Sequence, residues 1–205
     1  MFSSFFNSKI FIILFLFIIV LSLLTVPILY TSNITISDSS SQDIASSSII
    51  SSNNFVWPIP GYTSISSYFG KRISPTAGAS SYHSGIDIPA TYGTDLYAID
   101  SGIITFAGWG AGGGYTVTYN LINYPNYTIS YCHVSPDLLV YKNQKVFKNQ
   151  KIANVGPKNV YGIIDNPYKD SFGNPTNGST TGSHLHLTIK NNGSAIDPLN
   201  LFIIK

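Results

Sequence analysis

The sequence predicts an all-β domain carried behind an apolar N-terminal segment. Three observations point to it. The stretches "DLYAIDSGIITFAGWG", "YTVTYNLI", "YTISYCHV" and "HLHLTIK" alternate apolar and polar residues as strands do. Gly, Pro and Asn turn residues recur at short intervals from Phe55 onward, and no long amphipathic helical pattern follows residue 54.

The N-terminal segment has a different character. Residues 10–30, "IFIILFLFIIVLSLLTVPILY", are 21 residues without a charge, long enough to cross a bilayer as a helix. Lys9 precedes them, and no Lys or Arg follows until Lys71. That asymmetry predicts a short cytoplasmic N-terminus (1–9), a membrane anchor (10–30) and the remainder outside. The alternative is a cleaved signal peptide and a secreted domain. Against it, the apolar run is long and no small-x-small cleavage site closely follows. Residues 31–54, "TSNITISDSSSQDIASSSIISSNN", have no periodicity that would bury a face and read as a flexible linker. Its coil span is on the order of 25–30 Å. Fully stretched it reaches roughly 80 Å.

Composition removes several classes of chemistry. The single cysteine, Cys132, allows neither an internal disulfide nor a site of several thiolates. The domain 55–205 has ten Lys/Arg against seven Asp, too sparse for a nucleic-acid-binding stripe. All nine acidic residues are Asp, so any mechanism needing a glutamate base is excluded. A hydrolase built from this chain must use His or Asp as its base.

Within the domain, "SSYHSGIDIPA" places His83 four residues before Asp87, on one face if the run is extended. "WGAGGGYT" (109–116) lacks the G-K-[ST] ending of a phosphate loop and reads as a turn. Cys132, one residue before His133, is expected to pack in the core. "KNQKV" and "KNQKI" (142–146 and 148–152) predict neighbouring strands joined by similar turns, with Asn143 and Asn149 left-handed. The Gly/Pro/Asn-rich segment 156–182 reads as a long loop forming a cleft wall, with Tyr161, Tyr168 or Lys169 as candidate substrate contacts. In "TGSHLHLTIK", strand alternation puts His184, His186 and Thr188 on one face and Leu185, Leu187 and Ile189 on the other. Paired imidazoles there suit a metal or proton transfer; a solvated surface strand is the other reading. His83, Asp87 and one imidazole of the pair make three N/O ligands, the usual protein set for a catalytic zinc.

These blocks resemble the M23 metallopeptidases, the lysostaphin and LytM-type cell-wall endopeptidases. "WPIPGYTSISSYFGKR" is similar to their opening strand and F-G-x-R turn, and "HSGIDIPATYGTDLYAIDSGIITFAG" to their H-x-G-x-D core. "YCHVS", "TTGSHLHLTI" and "AIDPLNLF" follow in the family's order. The resemblance implies an antiparallel β-sheet domain over 55–205. It also implies Zn²⁺ held by His83, Asp87 and His186. His133 and His184 would stand beside the metal, orienting or deprotonating water and stabilising the oxyanion. The implied substrate is the peptide of bacterial peptidoglycan, cut outside the cell membrane.

Two other readings remain open: a non-catalytic wall-binding or regulatory domain of the same fold, and a β domain in which zinc serves folding alone. The sequence sets neither the bond cut nor an oligomeric state.

Overall fold

The computed structural model describes residues 55–76 and 78–202. The anchor expected at 10–30 and the linker at 31–54 lie outside them. Among the described residues no helix is long and apolar enough to cross a membrane.

The domain is all β, as its alternating pattern predicts. In chain order the strands are β1 (Gly70–Lys71), β2 (Tyr82–His83), β3 (Ile86–Pro89), β4 (Asp95–Tyr97), β5 (Gly102–Trp109), β6 (Tyr115–Leu121), β7 (Tyr127–Cys132), β8 (Lys145–Val146), β9 (Lys151–Asn154), β10 (His184–Asn191) and β11 (Ser194–Ile196). Short 3₁₀ turns occupy Ala111–Gly113 and Pro198–Leu201. The main sheet runs β11-β10-β7-β6-β5-β8, with β3 beside the first half of β10. Every pairing is antiparallel, and β1–β2 and β4–β9 form two small satellite sheets.

Alternation gives the main sheet one dry face and one polar face. Leu185, Leu187 and Ile189 of β10 are fully buried beside Ile86 and Ile88 of β3 and Ile129 and Tyr131 of β7. Val117, Tyr119 and Leu121 of β6 extend this layer, and Leu96, Ile152 and Val155 close it from the β4–β9 side. Truncating a fully buried leucine such as Leu187 to alanine costs about 2–5 kcal/mol in such packing. Two buried tyrosines tie the layers together. Tyr131 donates to the Tyr97 carbonyl (2.7 Å), and Tyr119 Oη accepts from Ile99 N–H (2.9 Å). The described strands and the core cluster they bury form one unit between Phe55 and Phe202, so this segment carries a core of its own on which to fold.

The two "KNQK" copies behave differently from the expectation in one respect. Asn143 and Asn149 do adopt left-handed φ (71° and 61°), and each following Gln accepts from the backbone N–H three residues earlier. The strands they launch are not neighbours, however: β8 pairs with β5 and β9 with β4. The repeat is a repeated turn, and each copy delivers its strand to a separate sheet.

Candidate metal centre

The polar face of the sheet collects three of the four histidines on or beside adjacent strands. β3 and β10 pair with His186 opposite Asp87, and β10 and β7 pair with His186 opposite Cys132. His83 arrives from β2. It and Asp87 are not on one continuous strand, as the i, i+4 argument supposed, because Ser84 and Gly85 break the run. Gly85 is needed there: a Cβ would stand 2.2 Å from the Leu187 carbonyl oxygen, so any side chain would push this link off β10.

Three ligand-type atoms converge. His186 Nδ1 is 2.8 Å from Asp87 Oδ1, His83 Nε2 is 2.9 Å from His186 Nδ1, and His83 Nε2 is 3.2 Å from Asp87 Oδ1. Donors about 2.0–2.1 Å from a tetrahedral zinc stand roughly 3.3 Å apart, close to this spacing. The opposite ring atoms are already engaged. His83 Nδ1 donates to the Tyr68 carbonyl (2.9 Å), which leaves Nε2 a lone pair aimed inward. His186 Nε2 is 2.9 Å from Thr188 Oγ1, on the face predicted for it. This is the arrangement expected of histidines that hold a metal, and the donor set fits zinc.

Arg72 completes the floor. Its Nη1 donates to Asp87 Oδ2 (3.1 Å) and to Ser67 Oγ (2.5 Å), so Oδ1 is the carboxylate oxygen left for the convergence point. Burial opposes charge on Asp87, but the imidazoles of His184, His186 and His83 hold its carboxyl far below the usual carboxylate range. Burial likewise lowers His186, against the pull of Asp87.

His133 and His184 flank this group. Their rings are 4.8 Å apart between centroids. Each gives Nδ1 to a backbone carbonyl: His133 to Asn177 O (2.7 Å), His184 to Gly182 O (2.9 Å). A carbonyl only accepts, so both rings carry a proton on Nδ1 and turn Nε2 toward the cleft. His184 Nε2 lies 3.5 Å from Asp87 Oδ1. Burial, reinforced by His184 and His186, takes His133 down to about 3, so it is neutral at physiological pH.

The whole forms a cleft of about 810 Å³. One wall holds Pro75, Gly78, Ala79 and Ser80; the other is the Gly110–Gly113 turn with Ser179–Ser183. The long 156–182 loop therefore does supply a wall, through its last residues. Tyr161, Tyr168 and Lys169 do not line it: Tyr161 is exposed, and Tyr168 packs from behind against Gly78 and Gly112. Cys132 also departs from expectation. It lies opposite His186 on the cleft face, half-buried beneath Gly113, instead of in the core. The alternation argument failed because His133 leaves the strand with φ 58°, so it and Cys132 both reach the cleft. Burial pushes the Cys132 thiol up to about 11, which keeps it protonated and a poor ligand.

Comparison with known proteins agrees with this site. The model of peptidase family M23 matches residues 81–198, from just before His83 to just beyond β11. The chain belongs to peptidase family M23. This M23 chain is 31% identical over 140 residues to the DD-carboxypeptidase/endopeptidase Mpg of Neisseria meningitidis serogroup B, a match over 68% of the chain. It spans only 27% of the length of that relative. Among solved structures, the catalytic domain of the antimicrobial peptidase lysostaphin from Staphylococcus simulans is 26% identical, with a TM-score of 0.52. That match covers 68% of this chain and 90% of the other. A zinc-containing peptidase from Vibrio cholerae is 25% identical with a TM-score of 0.54, over 72% of this chain and 39% of that one. The M23 match includes all four histidines and Asp87. Two partnerships were nevertheless not read from the sequence: the F-G-x-R turn contains Arg72 but does not mark it as the partner of Asp87, and nothing marks Asn177 as the partner of His133.

Proposed function

We propose that the chain is a zinc-dependent endopeptidase that hydrolyses peptide bonds in the stems or cross-bridges of bacterial peptidoglycan. The observation that carries this reading is the division of labour among four imidazoles. Two of them, with Asp87, turn ligand-type atoms to one point, and two more, held through Nδ1, turn Nε2 into the same cleft. A zinc ion held by His83, Asp87 and His186 would supply a Lewis acid able to polarise the scissile carbonyl and to lower the pKa of the attacking water toward neutrality.

The flanking histidines differ in what they can do. His133 is deeply buried and hard to protonate, so its Nε2 acts as a hydrogen-bond acceptor that orients the attacking water. His184 stands beside the Asp87 carboxylate, a ready partner for an imidazolium. It takes the proton from water and returns it to the leaving amine, the work a glutamate performs elsewhere. The similarity to the carboxypeptidase/endopeptidase Mpg supports an endopeptidase, that to lysostaphin supports a peptidase, and that to the Vibrio cholerae peptidase supports zinc. Peptidoglycan lies outside the cytoplasmic membrane, which suits an anchor at 10–30 behind Lys9, a Ser-rich tether at 31–54 and an extracytoplasmic domain. Cleavage of that segment would make the domain a secreted one.

The test is metal analysis of the domain 55–205 and its incubation with intact sacculi beside a His184→Ala copy, with released fragments identified by mass spectrometry. About one zinc per chain and peptide-cut fragments from the parent alone support the reading, and the fragments name the bond. A zinc-bound parent that releases nothing from any cross-link class replaces it with a non-catalytic wall-binding or regulatory role.

A further inference from the structure

We infer that Asn177, in the long segment before β10, is the positioning residue that fixes His133 as a hydrogen-bond acceptor facing the cleft. The inference rests on the reading of His133 as the group that orients water.

The starting point is the backbone at His133. Had β7 continued, alternation would have put this side chain on the face of Tyr131, inside the core. A left-handed φ of 58° turns it to the cleft side instead. A non-glycine residue persists in that region only when its surroundings over-determine it. Three contacts do so here. His133 N–H donates to Gly113 O (2.7 Å), its carbonyl accepts from Gly156 N–H (2.8 Å), and ring Nδ1 donates to Asn177 O (2.7 Å). Only the last sets how the ring is turned and which nitrogen carries the proton.

Asn177 is fully buried, and each of its polar atoms is occupied. Its N–H donates to Lys158 O (2.8 Å), its Oδ1 accepts from Tyr115 N–H (2.8 Å) and its Nδ2 donates to Val134 O (3.0 Å). The side chain thus spans the first residue of β6 and the residue that follows His133. The carbonyl that receives His133 cannot shift without breaking buried bonds to both. Asparagine suits the place because one short side chain must accept and donate at once; aspartate lacks the donor and alanine lacks both. The hairpin is shaped to admit it: Gly114 has φ 62°, and a Cβ there would stand 2.3 Å from the Asn177 carbonyl oxygen. The long 156–182 loop therefore reaches the chemistry from behind, through a carbonyl.

A merely structural staple would lower stability on removal without changing the ring's tautomer. The test reads the tautomer directly, by imidazole ¹⁵N NMR of the zinc-loaded domain 55–205, the His133 signals being assigned by their absence from His133→Gln. The parent is expected to show His133 with its proton on Nδ1. In Asn177→Ala this signature gives way to the other tautomer or a mixture. On a soluble peptidoglycan fragment that the parent cuts, kcat then falls roughly 10–100-fold with KM and zinc content little changed. Ile164→Ser, on the exposed outer arm of the same loop, leaves all of these as in the parent.

A parent carrying the His133 proton on Nε2 overturns the inference, and that result needs no variant to fold. So does an Asn177→Ala domain that keeps both the Nδ1–H tautomer and its kcat. A parent that cuts no wall fragment, yet shows the Nδ1–H ring and loses it in Asn177→Ala, removes the endopeptidase reading and upholds the positioning.

Discussion

The floor of the cleft and its wall hold histidines by different means. On the floor, the β3–β10 register sets His186 opposite Asp87 on the polar face of a packed sheet, and His83 joins them from β2 across the short Ser84–Gly85 link. On the wall, His133 has left its strand and His184 stands at the very start of β10, and each is oriented by a carbonyl from the 177–182 stretch. A register cannot slip by a fraction, because every buried apolar side chain on the opposite face would change places. A loop can shift by an ångström at far lower cost. A group that must meet a metal is thus best placed on strands, and groups that must meet water and substrate can be set by a loop with its own internal bonding.

If floor and wall are separate devices, their failures should look different. Asp87→Ala is the largest expected effect. It removes the only carboxylate of the converging set, so zinc content and peptide release fall together, the latter by at least about 10³-fold. Zinc-free protein should still show a native far-UV spectrum, since the core lies on the other face. Retained zinc at one per chain would show that Asp87 is no ligand. His184→Ala follows, with zinc retained and release lowered by roughly 10²–10⁴-fold, the span of a lost proton-transfer group. If that variant loses its zinc as well, floor and wall are one device after all.

The same contrast governs what the sequence could tell. The floor was legible because its logic is periodic: His184, His186 and Thr188 alternate with Leu185, Leu187 and Ile189, and H-x-x-x-D supplies the other two members of the converging group. Even there the i, i+4 argument reached the right pair by the wrong route, through a break at Ser84–Gly85 instead of a single strand. The family resemblance named His133 and His184 and the loop's composition named a wall, but the means by which the wall orients its rings was not legible. Cys132 keeps the cleft face that β7 alternation gives it, and a single left-handed backbone angle brings His133 to that same face instead of the core. Asn177 acts through its carbonyl, which every residue possesses, so no side-chain pattern can announce it. Tyr161, Tyr168 and Lys169 drew attention as large side chains in a loop, whereas the loop's contribution is made by small ones at Ser179–Ser183.

Acid should weaken the zinc-free domain through the wall's buried ring. His133 titrates at about 3 in the folded domain, because burial and two neighbouring imidazoles oppose its charge. In the unfolded chain it titrates near the ordinary value of about 6.5. Between those limits the unfolded chain binds a proton that the folded domain refuses, so stability falls as pH falls through that window. The slope for one such site is at most about 1.4 kcal/mol per pH unit. From pH 6.5 to 4.5 the loss attributable to His133 is therefore about 2–3 kcal/mol. His186 is lowered in the same sense and adds to the slope. Asp87, held below the usual carboxylate range, contributes stability that is lost only at lower pH, outside this window. Urea denaturation of the chelated domain at several pH values measures the sum. His133→Gln should flatten the curve by one site's share; parallel curves for parent and variant would mean that His133 is not buried neutral.

The smallest effect expected lies on the floor, at the one imidazole held by a side chain. His83, His133 and His184 each give Nδ1 to a backbone carbonyl, which no substitution can delete. His186 relies instead on Thr188 Oγ1, 2.9 Å from its Nε2. Thr188→Val keeps the shape and the β-branched fit to the strand while removing that oxygen. With Nδ1 turned to the point proposed for the metal, Nε2–H then has no acceptor within the floor, at a cost of about 1–3 kcal/mol where the group is buried. The ring is also less firmly oriented and less basic toward the metal. Zinc affinity should fall roughly 10–100-fold, read by competition with a chromophoric chelator. At saturating zinc kcat should be close to that of the parent, because the wall is untouched. An unchanged affinity would mean that the β10 register alone orients His186 and that the hydroxyl is incidental. A lowered kcat at full zinc occupancy would mean that movement of the floor reaches His184 two residues away, and the separation of floor from wall would fail at its closest point.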